Sequence, residues 1–251
     1  MSGLTLPTED IEAIERATVA AVAHEACEVV GPWILAPKPG TIGRARSAAP
    51  LARNLVRDES LLARIEAAYR AQDMVAEFRL PDVDGLSGVA ALLAERGYAP
   101  EQPTLVMEAP VARVAAFAEP RAVRLAQPDD GWASVFLGQG FDPVDGAHRV
   151  KTLTRSPDAV FAAVRDGAET CAVGVAALAE GWASLHGMRT AQAHRGKGLA
   201  GQVMATLAAA AAERGVAHMF LQVEEGNAPA RALYARAGFA PLWRYHYWRR
   251  A

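Results

Sequence analysis

The residues best suited to chemistry lie in a short loop that combines glycines with basic side chains. Arg195, Gly196, Lys197 and Gly198 follow one another directly. Glycine lets the main chain turn sharply and approach a ligand closely. A helical pattern runs from Gly198 to Arg214, and the first turn of a helix offers free N–H groups and the positive end of its dipole. The loop therefore predicts a site for a phosphate or a pyrophosphate.

Other interpretations of this loop fit less well. Gly196, Gly198 and Gly201 satisfy the spacing of dinucleotide-binding folds, and Glu224 ends the next strand as a ribose-binding acid does. However, the polar connector 191–195 separates the glycines from their strand, and the 27 residues after Glu224 are too few for a doubly wound sheet. A P-loop is excluded because the lysine of the loop is not followed by Ser or Thr. A nicotinamide-dependent enzyme and a solvated basic turn remain as the alternatives.

Hydrophobic spacing and turn residues predict the elements that position this loop. Helices are predicted at 8–26, 58–72, 89–96, 129–136, 198–214 and 228–237. Strands are predicted at 33–35, 104–107, 122–125, 160–165, 170–179, 183–189 and 219–223, with a last strand from Leu242. Segments 37–50 and 137–159 are predicted as loops. The mixture indicates an α/β protein of the α+β type.

One short pattern occurs twice in the chain. Residues 93–100 read Leu-Ala-Glu-Arg-Gly-Tyr-Ala-Pro, and residues 234–241 read Tyr-Ala-Arg-Ala-Gly-Phe-Ala-Pro. Both place a glycine and an aromatic residue between a helix end and a strand. The repeat favours two copies of one fold, with a first domain at 1–119 and a second at 120–251. Chance recurrence of a common helix-to-strand junction is the alternative.

Composition excludes several classes of protein. Hydrophobic residues make up 51% of the chain and charged residues 22%, which is typical of a folded protein with a core. The net charge of −2 indicates neither nucleic-acid nor membrane-surface binding. No apolar run reaches the roughly 18–20 residues that span a bilayer, and no signal-peptide pattern is seen. The two distant cysteines and scattered histidines lack disulfide or metal spacing. We therefore expect a cytoplasmic protein without a metal.

Two segments together resemble the GCN5-related N-acetyltransferases, the GNAT superfamily. Residues 195–200 match its loop (Gln/Arg)-x-x-Gly-x-(Gly/Ala). The later match, in order and spacing, is Asn227-x-x-Ala230-x-x-Leu233-Tyr234-x-x-x-Gly238-Phe239. The resemblance covers about residue 123 to the C-terminus and implies a GNAT-type mixed, mostly antiparallel sheet flanked by helices. The first half lacks this loop, so it looks like a degenerate copy that binds no cofactor there.

The resemblance implies acetyl-CoA as the co-substrate. Its pyrophosphate would lie on the main-chain N–H groups of the loop, and its amide-rich arm would pair with the edge of strand 183–189. In the family this strand splays from the next one, here 219–223. The residues expected to bind the cofactor are Met188, Arg189, Thr190, Arg195, Gly196, Lys197, Gly198, Leu199, Ala200 and Asn227.

Acetyl transfer to an amine has three chemical requirements. The amine must be neutral, the tetrahedral oxyanion needs donors, and the departing thiolate needs a proton or a hydrogen bond. Tyr234 stands at the family's acid position, so the resemblance implies that it protonates or stabilises the thiolate. Its alternative role is packing on the sheet. Backbone N–H groups near Met188 are the candidate oxyanion donors.

The sequence offers several candidates for the general base. Many relatives use a glutamate on one of the splayed strands, but the matching position here holds Gln222, which cannot be a base. His186 is the candidate because an ordinary imidazole pKa near 6.5 suits proton transfer. The alternatives are a structural role for this histidine, Glu224 or Glu225 as the base, and solvent alone.

The sequence thus predicts an N-acetyltransferase that moves acetyl to a primary amine by direct attack in a ternary complex, since neither cysteine lies in a nucleophile motif. A non-catalytic CoA-binding or regulatory module is the alternative. Asp142 and Asp145 fall where relatives have a substrate-facing loop and could contact a cationic amine. The aromatic, basic strand near the C-terminus is predicted to pack rather than to bind nucleic acid. A small molecule or a peptide remains open as the acceptor, and so does a homodimer.

Overall fold

The computed structural model describes residues 8–23, Glu25 and residues 27–250. Residues 1–7, 24, 26 and 251 lie outside the described part, and residues 24 and 26 belong to the predicted end of the first helix. The helices are α1 (Thr8–Ala23), α2 (Glu59–Arg70), α3 (Ser87–Glu95), α4 (Val111–Ala115), α5 (Asp130–Leu137), α6 (Pro143–Leu153), α7 (Leu199–Glu213) and α8 (Ala228–Ala237). The strands are β1 (Glu28–Val30), β2 (Trp33–Leu35), β3 (Ala49–Pro50), β4 (Phe78–Pro81), β5 (Ala99–Pro110), β6 (Val123–Leu125), β7 (Ala159–Asp166), β8 (Glu169–Ala179), β9 (Trp182–Thr190), β10 (His218–Glu224) and β11 (Ala240–Arg249).

An eight-stranded sheet forms the centre of the molecule, in the order β4-β11-β5-β10-β9-β8-β7-β6. Its neighbouring strands are antiparallel, except β9 and β10, which run parallel. A second sheet consists of β1, β2 and β3. The mixed, mostly antiparallel sheet confirms the predicted fold class, and it differs from the parallel, doubly wound sheet that a nicotinamide-dependent enzyme of the dinucleotide-binding type needs.

Strands from both sides of residue 120 interleave in the central sheet. β5 lies between β10 and β11, and it pairs with β10 from Thr104 to Pro110. β11 in turn lies between β5 and β4. The two predicted domains, 1–119 and 120–251, therefore share one continuous sheet. The division of the chain at this boundary stays a prediction.

The repeated sequence pattern takes the same local structure twice. Gly97 and Gly238 both have positive φ, at +80° and +102°, and lie just after the ends of α3 and α8. In each copy the glycine N–H and the N–H of the following aromatic residue, Tyr98 or Phe239, donate to carbonyl oxygens of the last helical turn. This hydrogen-bonded cap needs the left-handed conformation that glycine adopts without strain. The strands that follow, β5 and β11, pair with each other.

Helices cover both faces of the sheet, and alternate residues of β8 face opposite ways. Ala172 and Ala176 belong to a core cluster with α7, whereas Val173 and Val175 belong to one with α1 and α5. This alternation is the two-residue period of a strand. A Cβ at Gly174 would lie 2.8 Å from the side chain of α7 residue Val203, so glycine allows the helix to approach closely. Among the described helices, none is long and apolar enough to cross a bilayer.

Some predicted elements were wrong, most clearly in the segment 137–159. Residues 143–153 form α6 instead of a loop, with Asp142 as the N-cap and Pro143 in the first turn. Both are ordinary helix-start signals, but the helix has few inward residues, and only Gly146 and Leu153 are buried. The strands β1, β3 and β4 and the short helix α4 were also absent from the prediction, and β3 lies in the segment 37–50 that was predicted as loop.

Candidate functional site

The parallel strands β9 and β10 separate part-way along their length and open a cleft. Their pairing ends at Leu185 and Leu221. Beyond these residues β9 continues to Thr190 on β8, and β10 continues to Glu224 on β5. The two edges that face each other there have no strand partner among the described residues. A cleft of about 1010 Å³ lies at this position, as expected from the resemblance.

A bulge in β9 explains why the strands diverge. Two residues of β9, Gly187 and Met188, stand opposite the single residue Gly174 of β8. Gly187 has a φ of +58°, and a Cβ there would lie 2.7 Å from Cδ1 of Leu153. A bulge bends its strand and increases the local twist, so this position needs glycine and turns β9 away from β10.

The loop between β9 and α7 presents a row of free amides to the cleft. Gly196 and Gly198 have φ values of +79° and +76°. The amides of Gly201 and Gln202 donate to the carbonyl oxygen of Gly198 at 3.0 and 3.4 Å. Within the described part of the chain, the amides of residues 196–200 have no hydrogen-bond acceptor. Together with the helix dipole, these amides form a site for an anion such as a pyrophosphate.

The cleft brings the residues predicted to bind the cofactor together, with one exception. Its lining includes Met188, Arg189, Thr190, Arg195, Gly196, Gly198, Leu199, Ala200 and Asn227. Lys197 is the exception, since its side chain is exposed and is absent from this lining. Asn227 caps α8, because its Oδ1 accepts a hydrogen bond from the amide of Ala230 at 3.2 Å.

The two arginines of this region differ in how firmly they are held. The Arg189 guanidinium lies 3.9 Å from the ring centre of Phe141 and 3.5 Å from a carboxylate oxygen of Asp145. Burial lowers its pKa. Arg195 is exposed, and its Nε donates to the carbonyl oxygen of Thr190 at 3.3 Å. Arg195 is therefore the side chain that is free to reach a phosphate, while Arg189 braces the wall of the cleft.

The two aspartates suggested as contacts for a cationic amine are engaged in the protein. Asp142 caps α6 by accepting from the amide of Asp145 at 2.9 Å. Asp145 lies 2.6 Å from Nε of Arg149 and also contacts Arg189. Neither aspartate lines the cleft. Both aspartates therefore stabilise α6 and its contacts and do not lie in the site.

Tyr234 projects from α8 into the cleft wall and is free to act there. Its ring packs edge-on against Phe239, with the ring centres 5.9 Å apart. Its hydroxyl has no hydrogen-bond partner among the described residues. Burial raises the pKa of Tyr234 to about 12, against the opposing charge of Arg44. The phenol therefore keeps its proton and remains a donor throughout the physiological range.

His186 lies on β9 at the start of the cleft and is almost fully buried. Its Nε2 is 2.8 Å from the hydroxyl oxygen of Ser184, which itself donates to the carbonyl oxygen of Ala177. The hydroxyl proton is thus used, so Nε2 carries the imidazole proton and Nδ1 carries the lone pair. Nδ1 has no partner in the described structure. Burial, and then the charge of Arg44, lower the pKa of His186 to about 3.

The other candidate bases on and after β10 already have hydrogen-bond or ion-pair partners within the protein. Gln222, at the position where relatives carry a glutamate, donates from Nε2 to Thr18 and accepts from the hydroxyl of Tyr245 at 2.9 Å. The carboxylate of Glu224 accepts from Gln102 at 2.7 Å. Glu225 lies 3.4 Å from the guanidinium of Arg244. None of these groups is poised as a free base.

Sequence reasoning missed the residues that the first half brings to the cleft. Thr41, Ile42, Gly43 and Arg44 line it from one side. These residues lie in a stretch interpreted as loop, and no local signal shows which surface a loop covers. Tyr245 and Tyr247 of β11 are buried, as the packing interpretation predicted, and they also line the cleft. No group of three His, Cys, Asp or Glu side chains suited to a metal occurs in the described residues.

Sequence comparison identifies the family to which this cleft belongs. Residues 8–248 match the family model described as "Probable histone acetyltransferase Rv0428c C-terminal". The chain belongs to this family. It is thus a member of the GNAT superfamily of N-acetyltransferases, which confirms the resemblance that the loop and the Asn227–Phe239 segment indicate.

Curated relatives of this GNAT chain match over about half of its length. The uncharacterized N-acetyltransferase YobR of Bacillus subtilis (strain 168) is 32% identical over 123 residues, which are 48% of this chain and 50% of YobR. Streptothricin acetyltransferase of Streptomyces lavendulae is 36% identical over 127 residues, which are 49% of this chain and 59% of that protein. The chain therefore spans only about half of the length of these relatives.

Solved structures share the fold over nearly the whole chain. A GCN5-related N-acetyltransferase from Kribbella flavida aligns with a TM-score of 0.69 and 16% identity, covering 99% of this chain and 96% of that one. A tandem GNAT protein from the clavulanic acid biosynthesis pathway aligns with a TM-score of 0.58 and 16% identity, covering 97% and 96%. At such low identity these matches establish the tandem GNAT-like fold alone.

Proposed function

We propose that this protein transfers acetyl from acetyl-CoA to a primary amine. The observation that carries the proposal is the row of free amides at residues 196–200, which lies at the end of the gap between β9 and β10. The amides suit the pyrophosphate of CoA. The open edge of β9 suits its amide-rich arm, which would pair as an added strand does. Family membership supports the same co-substrate.

The reaction needs the acceptor and the thioester to meet where the strands separate. The amine nitrogen attacks the thioester carbonyl carbon, a tetrahedral oxyanion forms, and its collapse breaks the carbon–sulfur bond. The products are the amide, which is the N-acetylated amine, and the CoA thiolate. The bulge at Gly187 and Met188 frees main-chain groups of β9 at this point, and we assign the oxyanion donor to the Met188 amide.

Tyr234 serves the leaving group in this proposal. A thiol of ordinary pKa, about 8.5, is more acidic than a phenol whose pKa is raised to about 12. The thiolate therefore does not take the phenolic proton completely, and Tyr234 stabilises it by donating a hydrogen bond. Water then supplies the proton that makes the free thiol.

His186 has a different role from the one that its ordinary pKa suggests. A general base works best when its pKa is near the operating pH, and burial lowers the pKa of His186 to about 3. We propose that its unpartnered Nδ1 accepts a hydrogen bond from the incoming amine or from a bound water. The amine proton then leaves to solvent, because the described residues that line the cleft include no free carboxylate base.

Calorimetry and thiol release together test this function. The protein is titrated with acetyl-CoA and, in parallel, with NADH; we expect binding of acetyl-CoA alone. A panel of amines is then supplied with acetyl-CoA, and the free thiol is measured over the background hydrolysis. Binding without amine-dependent thiol release would identify a non-catalytic CoA-binding module, and binding of NADH instead would reject the acetyltransferase proposal.

A further inference from the structure

Arg44 is a partly buried cation in the cleft that lacks an acidic partner. It forms no hydrogen bond or ion pair with any described residue, and its Nε is buried without an acceptor. The neighbouring arginines differ: Arg46 lies 2.7 Å from Glu77, and Arg53 lies 3.2 Å from Glu15. A guanidinium removed from water without a partner is costly. An unpaired arginine that lines an open cleft therefore indicates a ligand with a negative charge.

The position of Arg44 is at the reacting end of the cleft. It lines the cleft together with His186 of β9, Tyr234 of α8 and Tyr245 of β11. Its charge favours a lower pKa for each of these three groups. The amides that suit the pyrophosphate begin beyond Thr190, which follows His186 by four residues, or about 13 Å of extended strand. Arg44 is therefore separate from the phosphate end of the site.

The backbone around Arg44 is held tightly. Residues 43–45 form one turn of 3-10 helix, in which Ala45 donates to Ile42 at 2.9 Å. A Cβ at Gly43 would lie 2.8 Å from the ring of Tyr247, so glycine allows the turn to press against β11. Since the turn is fixed by these contacts, the Arg44 side chain is presented to the cleft from a defined point.

The remaining groups of the cleft do not favour a cationic acceptor. Among the described residues that line it, Glu224 is the acidic one, and its carboxylate already accepts from Gln102. Arg149 also lines the cleft, but it is paired with Asp145. Arg249 is paired with Glu77 and Glu101. Arg236 of α8 also lines the cleft without an ion pair among the described residues, but its side chain is exposed to water. The uncompensated charge that is partly buried near His186 is therefore that of Arg44.

We propose that Arg44 binds a carboxylate of the acceptor, so that the substrate class is an amine that also carries a carboxylate group. The inference rests on the proposed acetyl transfer. The planar guanidinium offers paired N–H donors that match a carboxylate bidentately. Arg44 comes from the first half of the chain, so that half determines which acceptor the GNAT site of the second half accepts.

The test compares acceptors of equal length that differ in one end group. The probes are straight-chain ω-amino acids from glycine to ω-aminohexanoate, the matching ω-amino amides and the matching diamines. We expect a kcat/KM for the best amino acid that is about 10- to 100-fold above that of its amide, since one hydrogen bond to a charged group contributes on this scale. In Arg44→Gln this preference should disappear, mainly through a higher KM for the amino acid.

Two control variants accompany Arg44→Gln. Arg44→Lys keeps the charge without the paired donors and should retain part of the preference. Arg70→Gln makes the same substitution at the exposed end of α2, away from the cleft, and should keep the wild-type preference. Thermal unfolding and calorimetry with acetyl-CoA show whether each variant is folded and binds the co-substrate.

Each remaining outcome overturns the inference in a different way. Equal rates with acids and amides, or faster reaction of the diamines, would reject the carboxylate while leaving acetyl transfer intact. An equal loss with all acceptors in Arg44→Gln would show that Arg44 acts on the thioester. No acetylation of any amino acid by a protein that binds acetyl-CoA would reject this acceptor class. Failure of the wild type to bind acetyl-CoA would reject the proposed function with it.

Discussion

The Arg79 guanidinium donates a hydrogen bond to the carboxylate of Glu15 at 2.8 Å, and both side chains are almost fully buried. Arg79 lies on β4, at one end of the central sheet, and Glu15 lies on α1. The same carboxylate also accepts from Arg53 at 3.2 Å. α1 contacts β8 and β9 near the middle of the sheet. This buried pair therefore ties the outermost strand to the helix that supports the cleft strand β9.

Removing the carboxylate of this pair should strongly destabilise the fold. Glu15→Ala leaves the buried Arg79 charge without compensation, and a broken buried ion pair costs about 3–5 kcal/mol. Urea denaturation measures the free energy of unfolding. The control is Glu12→Ala, which removes the partly exposed partner of Arg16 and should cost less than about 1 kcal/mol. Equal losses of unfolding free energy in the two variants would show that the buried Glu15 pair stabilises the fold no more than the exposed Glu12 pair does.

Local sequence signals predicted most helices and strands well. Most of the candidate site residues in the second half line the cleft, and their roles stay predictions. α8 occupies the predicted 228–237, because Asn227, Pro229 and Gly238 mark its ends. β5 was predicted only as 104–107, since Pro100 and Pro103 argue against a strand. In the structure the prolines are tolerated because the first residues of β5 pair with β11 alone, whereas pairing with β10 begins at Thr104.

Long-range relationships could not be predicted from one sequence. The insertion of β5 between β10 and β11 depends on pairing between distant segments, which leaves no periodic signal. Arg44 could not be predicted as a site residue for the same reason, since only the tertiary structure brings its loop to His186 and Tyr234. The depressed pKa of His186 also depends on burial that its strand position does not reveal.

Gly198→Val should impair acetyl-CoA binding without unfolding the protein. Gly198 has a φ of +76°, and a Cβ there would meet no atom within 4 Å, so the cost is backbone strain of roughly 1–3 kcal/mol. Displacing the free amides removes at least one charge-assisted hydrogen bond, and we expect binding to weaken about tenfold or more. Calorimetry measures the dissociation constant.

Gly181 provides a matched control for this substitution. It lies in the turn between β8 and β9, with a φ of +77° and equally open surroundings. Gly181→Val should therefore lose a similar amount of stability and keep acetyl-CoA affinity. Retained affinity in Gly198→Val would contradict the anion site at the start of α7.

Tyr234→Phe should lower kcat about 100-fold, the scale on which loss of one hydrogen-bond donor to a developing negative charge slows an enzyme. Stopped assays of thiol release measure it with a saturating acceptor. Because burial raises the pKa of Tyr234 to about 12, its ionisation should not reduce the wild-type rate below about pH 11. The control Tyr98→Phe removes a hydroxyl that donates to Glu66 outside the cleft and should leave kcat unchanged. An unchanged kcat in Tyr234→Phe would remove this residue from the mechanism.

The low pKa of His186 predicts a specific loss of stability in mild acid. The pKa of the folded state is lowered from an ordinary value near 6.5 to about 3, so between these limits the unfolded chain binds one more proton than the native one. The stability that neutral His186 contributes is therefore complete above about pH 6.5 and is lost as the pH falls. The slope reaches about 1.4 kcal/mol per pH unit.

Urea unfolding of the wild type and of His186→Gln, at about pH 7.5 and about pH 5, isolates this effect. The free energy of unfolding of the wild type should fall by about 2 kcal/mol more than that of the variant. His218→Gln, which changes an exposed histidine beside Glu108, should follow the wild type closely. If wild type and His186→Gln respond equally to pH, the imidazole titrates normally in the native state. A normal pKa would make it an effective proton acceptor near neutrality, and His186 would then regain the role of general base.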